Sequence, residues 1–132
     1  MQQRGWGRII NIASVHGLVA SLNKAAYVAA KHGIVGLTKV VALENADKGV
    51  TVNAICPGWV DTHLVAAQFQ ARADRDGVSL EEGKRSVIVE KQPMPKATPP
   101  SSLGDLALFL CSDAAATITG ISLPIDGGWT AQ

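Results

Sequence analysis

The sequence predicts an α/β chain built on a small parallel sheet of three strands, with helices around it and a helical lid inserted before the last strand. Three observations predict this. Short β-branched runs alternate with longer helical ones, in the order strand, helix, strand, helices, strand. Hydrophobic residues make up 47% of the chain and charged residues 17%, a composition that supports a packed core. The 132 residues suit one domain, and no repeat or low-complexity linker divides them.

Each element has its own local signal. Arg8-Ile9-Ile10-Asn11-Ile12-Ala13 is short, rich in β-branched residues and preceded by glycines, so it reads as a buried strand. A loop covers 14–22. Asn23, read as an N-cap, opens a long helix to about Asp47, and Gly49 stops it. Val50 to Ile55 form the second strand, closed by the Pro57-Gly58 turn. Residues 60–100 are polar and irregular, with one short helix at about Leu64 to Arg72 and another opened by the capping-box pattern Ser79-x-x-Glu82. Pro93, Pro95, Pro99 and Pro100 break regular structure after that helix. A connection this long between compact elements is usually functional, often a lid. Ser102 to Ser112 read as an apolar helix, and Ile121 to Ile125 as the third strand, followed by Asp126-Gly127-Gly128. Nothing before the first strand covers its edge, and an apolar edge invites pairing. Further strands upstream, or cover from another chain, are therefore expected, with Met1 an internal methionine of a longer parent.

Several function classes are excluded on composition. A net charge of +1 without a basic run argues against nucleic acid as a partner. No uninterrupted apolar stretch approaches the ~18 residues of a membrane span, and the polar opening Met1-Gln2-Gln3-Arg4 is not a signal peptide. Cys56 and Cys111 form no CxxC pair and read as two buried thiols in a reducing cytoplasm. His16, His32 and His63 lack metal-ligand spacing, so no metal site is expected.

The chemistry concentrates in Tyr27-x-x-x-Lys31, with Ser14 thirteen residues before the tyrosine at the end of a strand. The i, i+4 spacing puts Tyr27 and Lys31 on one helix face. An ammonium beside a phenol favours its anionic form, which suits a group that must exchange a proton with a substrate hydroxyl or carbonyl. Ser14, at a strand's carboxyl end, is placed to hydrogen-bond the same oxygen.

Four runs carry a family resemblance: Asn11-Ile12-Ala13-Ser14, Tyr27-Val28-Ala29-Ala30-Lys31-His32-Gly33, Val52-Asn53-Ala54-Ile55-Cys56-Pro57-Gly58 and Ile125-Asp126-Gly127-Gly128. In order and spacing they resemble the short-chain dehydrogenase/reductases, over nearly the whole chain. The resemblance implies the C-terminal part of a Rossmann-like parallel sheet and a nicotinamide cofactor, NAD with NADP as the alternative. It implies Ser14, Tyr27 and Lys31 as catalytic residues, with Tyr27 the acid/base and Lys31 also on the nicotinamide ribose. Pro57, Gly58, Val60 and Thr62 would line the nicotinamide site. It also implies a homo-oligomer, tetrameric in full-length relatives, joined through the Tyr27 helix, where Gly33 and Gly36 would let another backbone approach.

Residues around these runs resemble the D-3-hydroxybutyrate dehydrogenase branch. By that resemblance His16 and Lys24 would hold a small carboxylate through charge-assisted hydrogen bonds. Trp59 would pack on the short apolar end, Gln68 would reach in from the lid, and Trp129 would line the pocket. The implied reaction interconverts (R)-3-hydroxybutyrate and acetoacetate, in the cytoplasm. No glycine-rich phosphate loop comes after a strand here; Gly5-Trp6-Gly7 precedes one. Cofactor binding by this chain alone is therefore expected to be very weak. Two alternatives remain open: a ketoreductase for a 3-oxoacyl or sugar substrate, and a non-catalytic fragment that self-associates.

Overall fold

The computed structural model describes residues 1–131. Strands β1 (Gly7–Ile12), β2 (Val50–Pro57) and β3 (Ser122–Ile125) form one parallel sheet in the order β1-β2-β3. Ile9 lies opposite Val52, Ile55 opposite Leu123, and Pro57 opposite Ile125. Every residue of β2 is buried, as a strand between two neighbours requires, and its polar Asn53 is satisfied by donating to the Ile118 carbonyl at 2.7 Å. Among the described residues β1 pairs on one side only, and Ile12 is exposed, so the uncovered edge read from the sequence is present.

Helix α1 (Ala25–Asn45) crosses from β1 back to β2. Val35, Thr38, Ala42 and Asn45 are its buried residues, spaced by three or four along one stripe. Val35 packs with Ala13, Ala54 and Cys56, while Ala42 packs with Val50 and Val52. Buried Thr38 is satisfied, because its Oγ1 receives a bond from the Asn11 amide at 2.9 Å and donates to the Ile34 carbonyl at 2.8 Å. At 21 residues α1 is long and apolar enough to cross a membrane by length and composition alone. Its sequence is better explained by the sheet it covers on one side.

The start of α1 corrects the sequence reading. Lys24, not Asn23, occupies the N-cap, and no side chain caps the helix. Asn23 adopts φ 61°, a left-handed conformation that asparagine tolerates better than most residues, so it turns the chain instead of capping it. The helix also ends at Asn45, short of Asp47.

The other sheet face is covered by α4 (Pro100–Cys111), whose Leu110 packs with Ile55, Ile10, Ala115 and Ile125. It begins two residues earlier than read, because proline at the first helical position has its φ already set and no N–H to satisfy. Cys56 is buried but Cys111 is exposed, which corrects the expectation of two buried thiols: Cys111 falls on the outward side of the last turn of α4.

The turn into β2 rests on Gly49, at φ +67°, where an added Cβ would stand 2.0 Å from the Gly5 carbonyl oxygen. Gly49→Ala is expected to destabilise the chain by about 1–3 kcal/mol in urea unfolding. Gly77→Ala, at φ +64° but in open space, should cost less, since only the conformational strain applies. Equal losses would refute the close approach as the cause.

Between β2 and α4 lies the helical insertion: α2 (His63–Asp76) and α3 (Leu80–Val89). Helix α2 runs a turn beyond the sequence reading and stops at left-handed Gly77. The capping box is present in both directions, with Glu82 N–H donating to Ser79 Oγ and Ser79 N–H donating to the Glu82 carboxylate. Phe69 of α2 packs against Val87 and Ile88 of α3, and Arg72 pairs with Glu90. Both ends of the insertion meet at one bridge, where Asp61 N–H donates to Thr98 O at 2.9 Å and Thr98 N–H to Trp59 O at 2.8 Å.

Candidate active site

The sequence-predicted residues gather at the carboxyl ends of the strands, where open parallel sheets receive ligands. Ser14 comes just after β1 and caps a short 3-10 turn, Val15–Gly17, within what the sequence presents as plain loop; its Oγ accepts from His16 N–H at 3.1 Å. Gly17 makes this turn possible, since a Cβ there would lie 2.7 Å from the Lys31 carbonyl. The turn therefore presses directly on α1. Ser14 and His16 are each only 7% exposed.

His16 is held at both ring nitrogens, with Nε2 3.0 Å from Ser21 Oγ and Nδ1 3.5 Å from Ser14 Oγ. Burial pushes its pKa below the ordinary 6.5, and the nearby Lys24 charge lowers it further, so the ring is neutral at pH 7. Tyr27 is 47% exposed, open enough to meet a ligand, and its ring stands edge-on to His16 with centroids 5.7 Å apart. Two ammonium groups flank that ring: Lys24 Nζ lies 5.9 Å and Lys31 Nζ 5.7 Å from its centroid. Lys31 Nζ donates to the Ile12 carbonyl at 3.1 Å, which ties the lysine to the end of β1 and leaves it further N–H donors.

Trp129 also stands edge-on to His16, at 5.4 Å, and Trp59 lies 6.4 Å from Trp129. Trp59 in turn meets Phe69 of α2 at 5.6 Å. A row of rings thus runs Tyr27, His16, Trp129, Trp59, Phe69, from α1 to the insertion. The turn carrying Trp129 is fastened by Asp126, whose carboxylate accepts from Gly128 N–H, Thr130 N–H and Thr130 Oγ1 at 3.0, 2.8 and 2.6 Å. Burial raises the Asp126 pKa, but these bonds from Thr130 and Gly128 outweigh it and leave it below the ordinary 3.8.

Pro57, Gly58, Val60 and Thr62 continue from β2 along the same rim. Gly58 N–H donates to Ile125 O at 3.1 Å, and Val60 bridges Thr98. Thr62 heads α2 in an extended conformation without a side-chain cap bond, so its hydroxyl is not used to end the helix. Gln68 is the outlier. It is exposed on α2 and lines a surface groove with Trp59, Arg72 and Glu90, joining the other residues only through Trp59. Ser21, Asp126 and Gln92 (which bonds to Trp59 N–H at 3.4 Å) belong to the site's framework and are not singled out by the sequence. Only the Asp126-Gly127-Gly128 run carries a signal, since an acid before two glycines suits a turn that needs a carboxylate acceptor.

The family described as enoyl-(acyl carrier protein) reductase matches residues 1–130 of the chain. The chain belongs to the short-chain dehydrogenase/reductase family. Within it, the chain is 59% identical over its full length to a D-beta-hydroxybutyrate dehydrogenase of Cupriavidus necator and 56% identical to one of Rhizobium meliloti, covering 51% of each. It is 40% identical over 97% of its length to an acetoacetyl-CoA reductase of Rhizobium meliloti, covering 48% of that protein. The chain thus spans about half the length of the curated relatives it matches. Among solved structures, actinorhodin polyketide ketoreductase with NADPH superposes on all of the chain and half of its own, with a TM-score of 0.87 and 39% identity. The 4-hydroxyisoleucine dehydrogenase complexed with NADH superposes on 95% of the chain and 47% of its own, with a TM-score of 0.82 and 40% identity. The three-stranded sheet is accordingly part of the family's Rossmann fold. These two solved structures hold nicotinamide cofactors, NADPH in the ketoreductase and NADH in the 4-hydroxyisoleucine dehydrogenase.

Proposed function

We propose that this chain is the proton-transfer and substrate-binding half of a dehydrogenase that interconverts (R)-3-hydroxybutyrate and acetoacetate. The observation that carries the reading is the convergence of Tyr27, His16, Trp129 and Trp59 in one row beside buried Ser14 and tethered Lys31. The 59% identity to a D-beta-hydroxybutyrate dehydrogenase supports the substrate.

The donor set fits a nicotinamide nucleotide. Lys31 keeps N–H donors beyond its bond to Ile12, which suit ribose hydroxyls, and the uncapped Thr62 hydroxyl suits a carboxamide. Pro57, Gly58 and Val60 would form the wall beside it. NAD is proposed, with NADP as the alternative. The group, when bound, exchanges a hydride with substrate C3. The chain's own part is the proton. Tyr27 takes it from the C3 hydroxyl in oxidation and returns it in reduction, with the Lys31 ammonium held beside its ring. Ser14 Oγ hydrogen-bonds the same oxygen. Lys24 and neutral His16 hold the carboxylate, Trp59 and Trp129 enclose the methyl end, and Gln68 closes the pocket from the insertion beside Trp59.

The exposed face of α1 supports assembly with further copies in the cytoplasm, a tetramer when complete. Leu37, Val40 and Leu43 are exposed there, and a Cβ at Gly33 or Gly36 would meet nothing in this chain.

The test is a fusion that supplies the unmatched half of the Cupriavidus necator relative. It should form NADH from (R)-3-hydroxybutyrate and NAD, and the 132-residue chain alone should not. Turnover of a 3-oxoacyl thioester or a sugar in place of hydroxybutyrate would replace this substrate with the second reading. A fusion that binds no NADH would leave a non-catalytic, self-associating fragment.

A further inference from the structure

We propose that Gln92 is a positioning residue that sets the width of the candidate pocket, by clamping the exit of the helical insertion to both tryptophan-bearing loops. The inference rests on the reading of that pocket as the substrate site.

Gln92 lies just beyond α3, flanked by lysine and proline, and its side chain is wholly buried, at 0% exposure. Three loops meet on its amide. Oε1 accepts from Trp59 N–H at 3.4 Å, on the segment after β2. Nε2 donates to the Met94 and Lys96 carbonyls at 3.1 and 2.6 Å, folding the insertion's exit around the side chain. The third loop is the turn before Trp129: Met94 N–H donates to Gly127 O at 3.0 Å, and Pro93 packs 3.6 Å from where a Gly128 Cβ would stand. Both facing loops make room with glycine. A Cβ at Gly58 would come within 2.9 Å of Oε1, and one at Gly127 within 2.5 Å of Nε2.

Chemistry restricts this position to a neutral amide. A carboxylate would face two carbonyl oxygens with no proton to offer, and a thioether would leave those carbonyls and the Trp59 N–H unpaired in a buried place. Trp59 and Trp129 hang directly from the clamped segments, so the 6.4 Å between their rings depends on the amide. That spacing decides how large an apolar end the pocket takes. Gln92 touches no reacting atom; it acts through the two tryptophans.

The test uses the full chain and two replacements of similar volume, Gln92→Met and Gln92→Glu, each in a Trp6→Phe background so that Trp59 and Trp129 report alone. Both variants should raise acrylamide quenching of the tryptophans about threefold. Amide exchange over 58–98 should quicken about tenfold, while α1 keeps its rates. If Gln92→Met matches the parent in both measurements, the side chain only fills space and the proposal fails. It fails equally if exchange rises as much in α1 as in the insertion. Should neither variant fold, exchange in the unmodified chain decides: the Trp59, Met94 and Thr98 amides should open together, at one rate, and independent opening of Trp59 would overturn the clamp. None of these readouts needs turnover, so an inactive fusion and a failed clamp remain distinguishable.

Discussion

Tyr27→Phe is expected to lower turnover of (R)-3-hydroxybutyrate by the completed enzyme about 10²- to 10⁴-fold, the range that a positioned acid/base contributes. The KM should stay within about threefold, because the phenolic proton matters in the transition state more than in binding. The replacement is clean. Phenylalanine keeps the ring that stands edge-on to His16 and lies between the Lys24 and Lys31 ammonium groups, so the row of rings persists. Tyr27 is also half exposed, so no buried hydroxyl partner is orphaned. Steady-state kinetics with an unchanged thermal midpoint would complete the measurement. A variant that keeps more than about a tenth of the parent rate would move the proton transfer to another group and end the Tyr27 assignment.

The second large effect is expected at Lys24. Lys24→Ala should raise the KM for hydroxybutyrate about 10- to 100-fold with kcat little changed, as loss of a hydrogen bond of about 1.5–3 kcal/mol to a charged group predicts. An independent physical readout accompanies it. The Lys24 charge helps hold the His16 pKa down, after burial, so its removal should let that pKa rise toward 6.5 without reaching it, because burial remains. The sign is fixed: a cation beside imidazole opposes the second positive charge. Imidazole resonances tracked across pH would show the rise. A KM effect without a His16 shift would mean that Lys24 meets the substrate from outside the His16 pocket. Unchanged KM would remove the carboxylate role altogether, and the lysine would then stand as an unfavourable cation at a helix start.

Legibility in the sequence depends on the range of the interactions involved. The strands are legible because β1 and β2 are compact runs rich in β-branched residues, and β3 is a short run set off by Gly120 and Gly127. The Ser79 capping box is legible because both of its bonds lie within four residues. Tyr27 and Lys31 share a face by helix geometry alone. The start of α1 misleads because asparagine suits both an N-cap and a left-handed turn, and only the surrounding chain selects between them. The Ser14 cap of a 3-10 turn depends on Gly17 fitting under the Lys31 carbonyl, a contact between separate segments of the chain. Gln92 carries no signal at all, because a polar residue among prolines looks like any exposed loop position. Its burial is created by loops distant in the sequence on either side, those of Trp59 and Gly127. Gln68 shows the converse: its resemblance is local, and the fold leaves it exposed in a groove beside Trp59.

The bridge that joins Val60 to Thr98 has a further consequence. Since the insertion leaves and rejoins the domain at one pair of hydrogen bonds, and its exit is fastened nearby by Gln92 to Trp59 and by Met94 to Gly127, everything between is a cassette seated in one socket. Lengthening such a segment adds only a slowly growing loop-closure cost, and the strands, Ser14, Tyr27 and Lys31 lie outside it. Grafting another relative's 61–97 onto this socket, with its own counterpart of Gln92, is therefore a route to new substrate ranges that leaves the proton-transfer groups in their original frame.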